Sequence, residues 1–201
     1  MKSGIQKIDL KEKSYSIKAN NPFEDFAYLR AMEESESASE TSVWIPDHLG
    51  EIENKKLISF MPLYKKFNSY GEFIFDHQWA NALQRAGRNY YPKLLTAIPF
   101  TPCEGDRILA KNKRNKFNLI DAGIKKMEIE QIESWHILFP NEDCKNVLRD
   151  KNFIERFNYR FTLINDDFYD FDNFLSIFTS RQRATIRKER NSINKLGIKI
   201  D

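Results

Sequence analysis

YYPKLLTAIPFTP, residues 90–102, contains the pattern from which the centre of the fold is predicted. Inside it, Leu94 to Ile98 form a short apolar run between Pro92 and Pro99. Prolines cannot donate hydrogen bonds within a sheet, and an apolar run of this length between them is typical of a buried strand. We therefore predict a central strand that is followed by a rigid turn.

Predicted strands and helices alternate on both sides of this segment. The predicted strands are a possible edge strand in the polar lead-in, a hairpin of Trp44–Glu51 and Lys56–Lys66 joined at Glu53-Asn54, then Trp135–Phe139 and Phe153–Ile164. The predicted helices are one that follows Asn20-Asn21-Pro22, then Gln78–Ala86, the residues after Lys116 up to Gln131, Asn141–Asp150 and Phe171–Lys195. This alternation predicts the α/β or α+β class, with helices that flank a mixed sheet.

The sequence predicts three successive regions. Residues 1–20 form a polar lead-in, residues 21–170 a domain, and residues 171–201 a long basic connecting helix with the start of a second domain. Gly197 ends that helix in this interpretation, and Ile198 to Ile200 begin a new strand. Because a strand needs a neighbour, we expect a chain that is truncated before a second half.

Glycine, histidine and cysteine usage excludes several classes of protein. No two of the seven glycines are closer than sixteen residues, so Rossmann, Walker and acetyl-CoA pyrophosphate loops are absent. The three histidines are not at zincin spacing, and we expect no metal site. Cys103 and Cys144 are expected to be free thiols. Neither a spanning apolar segment nor a signal peptide is present, which predicts a cytoplasmic protein.

Charge is concentrated at one end of the chain. The net charge is +3, with 32 basic and 29 acidic residues, and residues 181–201 alone hold seven basic and two acidic residues. A nucleic-acid groove needs a broader basic surface with interleaved aromatic residues. Binding of nucleic acid through the terminal helix is therefore the least favoured of three functional hypotheses.

An ordered set of motifs carries a resemblance to a known family. The motifs are Pro62-Leu63-Tyr64, Tyr70-Gly71-Glu72-Phe73, Phe75-Asp76, Trp79-Ala80, Arg85-Ala86-Gly87, Tyr90-Tyr91-Pro92-Lys93-Leu94 and Pro99-Phe100-Thr101-Pro102. Weaker matches follow at Trp135–Phe139, Phe171–Leu175 and Ser180–Arg190. The chain thus resembles a bacterial family of peptidoglycan biosynthesis or recognition proteins, N-acyltransferases with a GNAT-like fold and distant relatives of Fem-type aminoacyl transferases.

The resemblance implies an acyltransferase activity and a second half of the protein in addition to this chain. It implies transfer of an acyl group from acetyl-CoA or another acyl donor to a cell-wall precursor or another small molecule. It covers about the first half of a family member, and the donor would bind in a second GNAT-like half, supplied here by a possible companion chain. One departure stands out: where the family tends to show Gln-Phe-His-Trp, this chain has Arg160-Phe161-Thr162-Leu163 and no imidazole.

Asp76 and His136 are the candidate catalytic residues. Asp76 could present a carboxylate beside His77 at the mouth of a strand, although we favour the interpretation that Asp76 caps the following helix. His136 lies in a short apolar strand, and its ordinary pKa near 6.5 suits proton transfer. A histidine that only packs in the core is an equally good interpretation.

The candidate substrate-binding residues fall in two places. Tyr90, Tyr91 and Lys93 place aromatic rings and a cation at one turn, where a sugar ring or phosphate could bind, and Thr101 offers a hydroxyl in the turn that follows the strand. Packing alone also explains these residues. A second group, Arg183, Arg187 and Arg190, forms a basic stripe on one helical face that could contact an anionic ligand or only be solvated.

Two main hypotheses follow from these observations. The first is the N-terminal half of a GNAT-like N-acyltransferase, with Tyr91, Lys93, Thr101 and His136 lining a substrate cleft. The second is a non-catalytic recognition module, or a degenerate fragment of such an enzyme, which the departure at residues 160–163 favours.

Overall fold

The chain forms two compact units. A computed structural model describes residues 4–12, 15, 17–74, 76–157, 159 and 161–196. The first unit comprises Met1–Glu155 and the second comprises Arg156–Asp201.

All strands of the described residues belong to the first unit. They are β1 (Gly4–Lys7), β2 (Trp44–Pro46), β3 (Leu49–Glu53), β4 (Lys56–Met61), β5 (Tyr64–Lys66), β6 (Lys93–Thr96), β7 (Leu109–Ala110) and β8 (Trp135–Ile137). Its helices are a 3-10 turn at Pro22–Glu24, α1 (Phe26–Glu34), α2 (His77–Arg85), α3 (Lys113–Glu130) and α4 (Glu142–Asp150). The second unit contains α5 (Phe171–Ser176) and α6 (Ser180–Lys195).

The strands make two four-stranded sheets, which corrects the expectation of one mixed sheet. The first sheet has the order β1-β3-β4-β7 and is antiparallel throughout. The second has the order β2-β5-β6-β8 and is mixed, because only β6 and β8 are parallel. The α/β class is confirmed.

One long hairpin, residues 44–66, contributes strands to both sheets. Its outer arms, β2 and β5, pair in the mixed sheet, and its inner arms, β3 and β4, pair in the antiparallel sheet. Asn54 and Lys55 both have positive φ, the combination that a two-residue hairpin turn requires. The predicted hairpin is therefore confirmed, with a change of sheet halfway along it.

His48 fills the point at which the hairpin changes sheet. Its Nδ1 accepts a 3.0 Å hydrogen bond from the backbone N–H of Leu63. Its Nε2 lies 2.7 Å from Oε1 of Glu33, a buried residue of α1. Because Nδ1 is an acceptor, the ring carries its proton on Nε2, which donates to Glu33. A buried side chain thus takes the place of a backbone carbonyl as the acceptor for the N–H of Leu63.

The predicted central strand is confirmed as β6, which lies between β5 and β8. Its successive residues face opposite sides, as a pleated strand requires. Leu94 packs in the core cluster that contains Leu119 and Ile120 of α3, and Leu95 packs in the cluster around Trp44. Both faces of β6 are therefore buried.

Two sequence predictions for the C-terminal part are wrong. The described residues of 153–164 form no strand, although their alternation of apolar and polar residues predicts one. The helix predicted over Phe171–Lys195 is two helices, because Thr179 and Gln182 begin α6 with a reciprocal pair of hydrogen bonds, a capping box. The strand predicted at Ile198 to Ile200 lies outside the described residues.

Candidate functional site

The ammonium group of Lys93 is the centre of a buried polar cluster. Lys93 is the first residue of β6, and its side chain is fully buried. Its Nζ donates hydrogen bonds to Asp76 Oδ2 at 2.6 Å, to Glu72 Oε2 at 2.7 Å and to Ser69 Oγ at 2.8 Å. One cation therefore holds two buried carboxylates, a geometry in which each charge depends on its partner.

The loop before α2 wraps around this ammonium group. Ser69, Glu72 and Asp76 follow one another at spacings of three and four residues, and all three side chains turn inward. Asp76 occupies the position before α2 but makes no side-chain hydrogen bond to the helix. Asp76 is therefore the N-cap residue of α2, as predicted, but its side chain does not cap the helix, because its partner is the buried Lys93.

Tyr90 connects the cluster to His136. The hydroxyl of Tyr90 donates to Asp76 Oδ2 at 2.7 Å, and the same hydroxyl lies 2.9 Å from His136 Nε2. A tyrosine hydroxyl has one hydrogen, and an ionised Asp76 only accepts, so Tyr90 accepts from His136. His136 therefore carries a proton on Nε2, and the lone pair of the neutral ring is on Nδ1.

The charges of the cluster follow from burial and hydrogen bonding. Burial alone would raise the pKa of Asp76, but hydrogen bonds from Lys93, Tyr90 and Ser69 outweigh it and lower this pKa to about 2. Burial raises the pKa of Glu72, and Lys93 offsets only part of the rise. Burial and the neighbouring Asp76 also raise the pKa of Tyr90. At neutral pH Asp76 is ionised and Tyr90 keeps its proton.

Lys66 is a second buried cation near the same loop. Its Nζ donates to the carbonyl of Tyr70 at 3.1 Å and lies 4.1 Å from the centre of the Trp44 ring. Burial is the main cause that lowers the pKa of Lys66 to about 8; Glu72 opposes the shift and Lys93 adds to it. Lys66 thus carries its charge at neutral pH at a cost in free energy.

The predicted site residues fall into two groups. Asp76, Tyr90, Tyr91, Lys93 and His136 meet in one place, since the Tyr91 hydroxyl lies 2.7 Å from Ser69 Oγ and its ring packs edge-on against Tyr90. A direct contact between Lys93 and a substrate stays a prediction, because its ammonium group is enclosed by the cluster.

The other predicted residues lie elsewhere. The Thr101 hydroxyl bonds to the carbonyl of Pro99 and to the hydroxyl of Tyr28. Arg183 and Arg187 belong to α6 in the second unit, where Arg187 pairs with Asp172 at 2.8 Å. The binding roles of these three residues stay predictions.

Sequence reasoning did not single out Ser69 and Glu72 as site residues. Their spacing from Asp76 is the available signal, because residues three and four apart in a tight loop can face one point. Serine and glutamate are both mostly exposed in folded proteins, so the sequence favours a solvated position for each of them. No group of three or more metal-binding side chains converges among the residues that the structure describes.

The fold and the cluster define an α/β protein with a buried lysine, two carboxylates, and a tyrosine that leads to a half-buried histidine. The chain belongs to the FemAB-like family, described as peptidoglycan biosynthesis/recognition, whose profile matches residues 4–201. The resemblance is thus confirmed, and the family indicates a peptidoglycan-related role. No curated protein and no solved structure matches the chain significantly. Within the described residues, no helix is long and apolar enough to cross a membrane.

Proposed function

We propose that the chain takes part in N-acyl transfer to an amine of a peptidoglycan precursor, as the acceptor side of a GNAT-like N-acyltransferase. The line of hydrogen bonds from ionised Asp76 through Tyr90 to His136 supports this proposal. Acyl transfer to an amine needs a group that takes a proton from the attacking nitrogen, and histidine is the side chain best suited to it near neutral pH.

Each residue of the line has a distinct role in the proposed step. The amine nitrogen attacks the acyl carbon and forms the new C–N bond, its proton passes to the imidazole of His136, and the bond to the donor's leaving group breaks. The resulting imidazolium ion donates from Nε2 to Tyr90, which donates to the carboxylate of Asp76. Lys93 is a positioning residue, because it fixes Asp76 and keeps it ionised.

Substrate positions follow from the exposure of the cluster's members. Tyr91 and His136 are half-buried, whereas Lys93 and Asp76 are fully buried, so substrate approaches from the side of Tyr91 and His136. In this proposal the acyl donor is a substrate, held by a second GNAT-like half as the resemblance implies, and Arg183 and Arg187 are its candidate anion contacts.

A recognition module without chemistry is the second candidate function. The lack of an imidazole at residues 160–163 favours it. In that case the Lys93 cluster only stabilises the fold, and the precursor binds without reacting.

Mass spectrometry of the precursor distinguishes the two functions. The purified chain is incubated with a UDP-linked muramoyl pentapeptide and either acetyl-CoA or aminoacyl-tRNA, at donor concentrations high enough that turnover does not depend on a second half that holds the donor, and the mass of the acylated product is sought. We expect product from the wild type, and at least about a hundredfold less from His136→Phe, the range that a lost general base implies. His77→Phe is the matched control, because His77 is exposed at the start of α2.

Three outcomes would contradict the proposal. Equal rates for His136→Phe and the control would remove His136 from the chemistry. Binding of the precursor without product from either donor would overturn the transferase and support the recognition module. Neither binding nor product would overturn both functions.

A further inference from the structure

The loop between β5 and α2 carries buried polar side chains and exposed aromatic ones. The buried side chains, which surround the Lys93 ammonium group, are those of Ser69, Glu72 and Asp76. The aromatic side chains, 49% to 76% exposed, are those of Phe67, Tyr70 and Phe73. Burial of large aromatic rings stabilises a fold, so a loop that exposes them gives up this free energy. Exposed rings in this number indicate a binding surface.

Gly71 brings three exposed rings to one place. Tyr70 and Phe73 lie on either side of it in the chain, and the Phe100 ring is so close that a Cβ on Gly71 would be 2.5 Å from it. The Phe100 ring also packs against Trp44, at 5.4 Å between ring centres, and Phe100 remains 42% exposed. Tyr70, Phe73 and Phe100 together are called the aromatic face below.

The backbone holds two of these rings in an unfavourable conformation. Phe73 has a φ of 57° and Phe100 a φ of 55°, in the left-handed region that bulky residues seldom adopt. Such conformations persist only where the surrounding structure imposes them, and they concentrate at functional sites. Beneath the face, Trp44 donates from Nε1 to the carbonyl of Tyr70 at 3.2 Å. The rings are therefore positioned before a ligand arrives, which lowers the cost of binding.

The charge of the surrounding segment selects a class of ligand. From Phe67 to Gln84, Glu72 and Asp76 are the only acidic or basic residues, and both are buried, although charged residues make up 30% of the chain. The exposed polar side chains of this segment are those of Tyr70, His77, Gln78, Asn81 and Gln84. Nucleic acids need exposed cations for their phosphates, and this segment has none. A neutral ligand fits the segment better.

We propose that the aromatic face binds a neutral oligosaccharide. A pyranose ring has faces of C–H groups, which stack on the negative face of an aromatic ring, and a rim of hydroxyl groups, which hydroxyl and amide side chains bind. Three rings around Gly71 offer stacking surface for more than one linked sugar. The face lies next to the proposed substrate side, because Ser69, which precedes Tyr70, has its Oγ 2.7 Å from the Tyr91 hydroxyl. This inference concerns binding and is independent of the proposed acyl transfer.

Isothermal titration calorimetry of the full chain with tri-N-acetylchitotriose, a neutral trimer of N-acetylglucosamine, tests the proposal. We expect saturable binding, and affinity at least about tenfold lower in the double variant Tyr70→Leu, Phe73→Leu, because leucine keeps apolar bulk without a flat ring. Tyr70→Phe is the matched control; it keeps the ring and should bind within about twofold of the wild type. No binding by the wild type, or equal affinities of the wild type and the double variant, would overturn the proposal.

Saturation-transfer NMR gives a test that needs no variant. Irradiation of the aromatic protons of the wild type should saturate the ring C–H protons of the bound trimer, and no transfer to them would overturn the stacking. Two further probes test the class of ligand. We expect N-acetylglucosamine and UDP-N-acetylglucosamine to bind more weakly than the trimer, because each offers one sugar and the second adds negative charge. A monomer that binds as tightly as the trimer, or a nucleotide sugar that binds more tightly, would overturn the assignment to a neutral oligosaccharide.

Discussion

Replacement of Lys93 by methionine is the sharpest test of the buried cluster. The substitution keeps an unbranched side chain that ends where the ε-carbon of lysine lies, but leaves Glu72 and Asp76 buried without their cation. The lowering of the Asp76 pKa from 3.8 to about 2 alone corresponds to about 2 kcal/mol. With the second carboxylate included, we expect a loss of about 3–5 kcal/mol in the free energy of unfolding at pH 7, the range for a broken buried pair.

Urea unfolding followed by tryptophan fluorescence measures this loss in the right unit. Trp44, Trp79 and Trp135, the three tryptophans of the chain, all belong to the first unit, so the signal reports its unfolding. Lys113→Met is the matched control, because Lys113 pairs with Asp150 at 2.6 Å but is 60% exposed. An exposed pair of this kind contributes less than about 1 kcal/mol.

The pH dependence distinguishes a cluster that excludes water from one that water already solvates. In the Lys93→Met variant, burial raises the pKa of Asp76 above its ordinary value, so acid neutralises the uncompensated charge. The deficit relative to wild type should therefore shrink between pH 7 and pH 4. A deficit below about 1 kcal/mol, equal to that of the control, would mean that water already solvates the cluster.

Three further predictions concern single residues of the first unit. Gly123→Ala should cost about 1–3 kcal/mol in a urea melt despite its better helix propensity, because its Cβ would lie 2.5 Å from the Trp135 ring. Burial lowers the pKa of Lys66 from 10.5 to about 8, so between these pH values the unfolded chain binds more protons than the folded one. The free energy of unfolding of the wild type should therefore rise from pH 8 to pH 10.5 relative to that of Lys66→Met, which paired urea melts would show. Asp76 stabilises the fold above pH 3.8 and loses this effect as pH falls towards 2, so Asp76→Asn should flatten that part of an acid titration followed by fluorescence.

Local signals in the sequence predicted the elements that depend on local physics. The side chains of Asn21 and Asn141 accept hydrogen bonds at the helix starts that the sequence indicated. The hairpin and the central strand followed from β-prone residues, turn residues and prolines that act within a few positions. The capping box at Thr179 and Gln182 is a local signal of the same kind, and it divides the region that apolar periodicity alone predicts as one helix.

Long-range partners could not be predicted in the same way. Tyr90, Tyr91 and Lys93 are neighbours in the sequence and were predicted as one group. Glu72, however, lies 21 positions from Lys93, and His136 lies 46 positions from Tyr90. Their meeting depends on the course of the loop before α2, which carries Glu72 and Asp76 to Lys93, and on the parallel pairing of β6 with β8. The prediction of a strand at residues 153–164 was wrong for the same reason. A strand is stable only when it pairs with another strand, and a local sequence pattern does not show whether such a partner exists.

The hairpin of residues 44–66 has a consequence for how the chain folds. Its two-residue turn at Asn54 and Lys55 closes a small loop, which is a fast event, on the scale of microseconds. Because one hairpin supplies two paired strands to each sheet, its formation creates the first strand pair of both sheets. The parallel pairing of β6 with β8 spans about forty residues and must close a longer loop. We therefore expect the two sheets to appear together in folding kinetics, with substitutions in the hairpin slowing refolding and substitutions in β8 mainly accelerating unfolding.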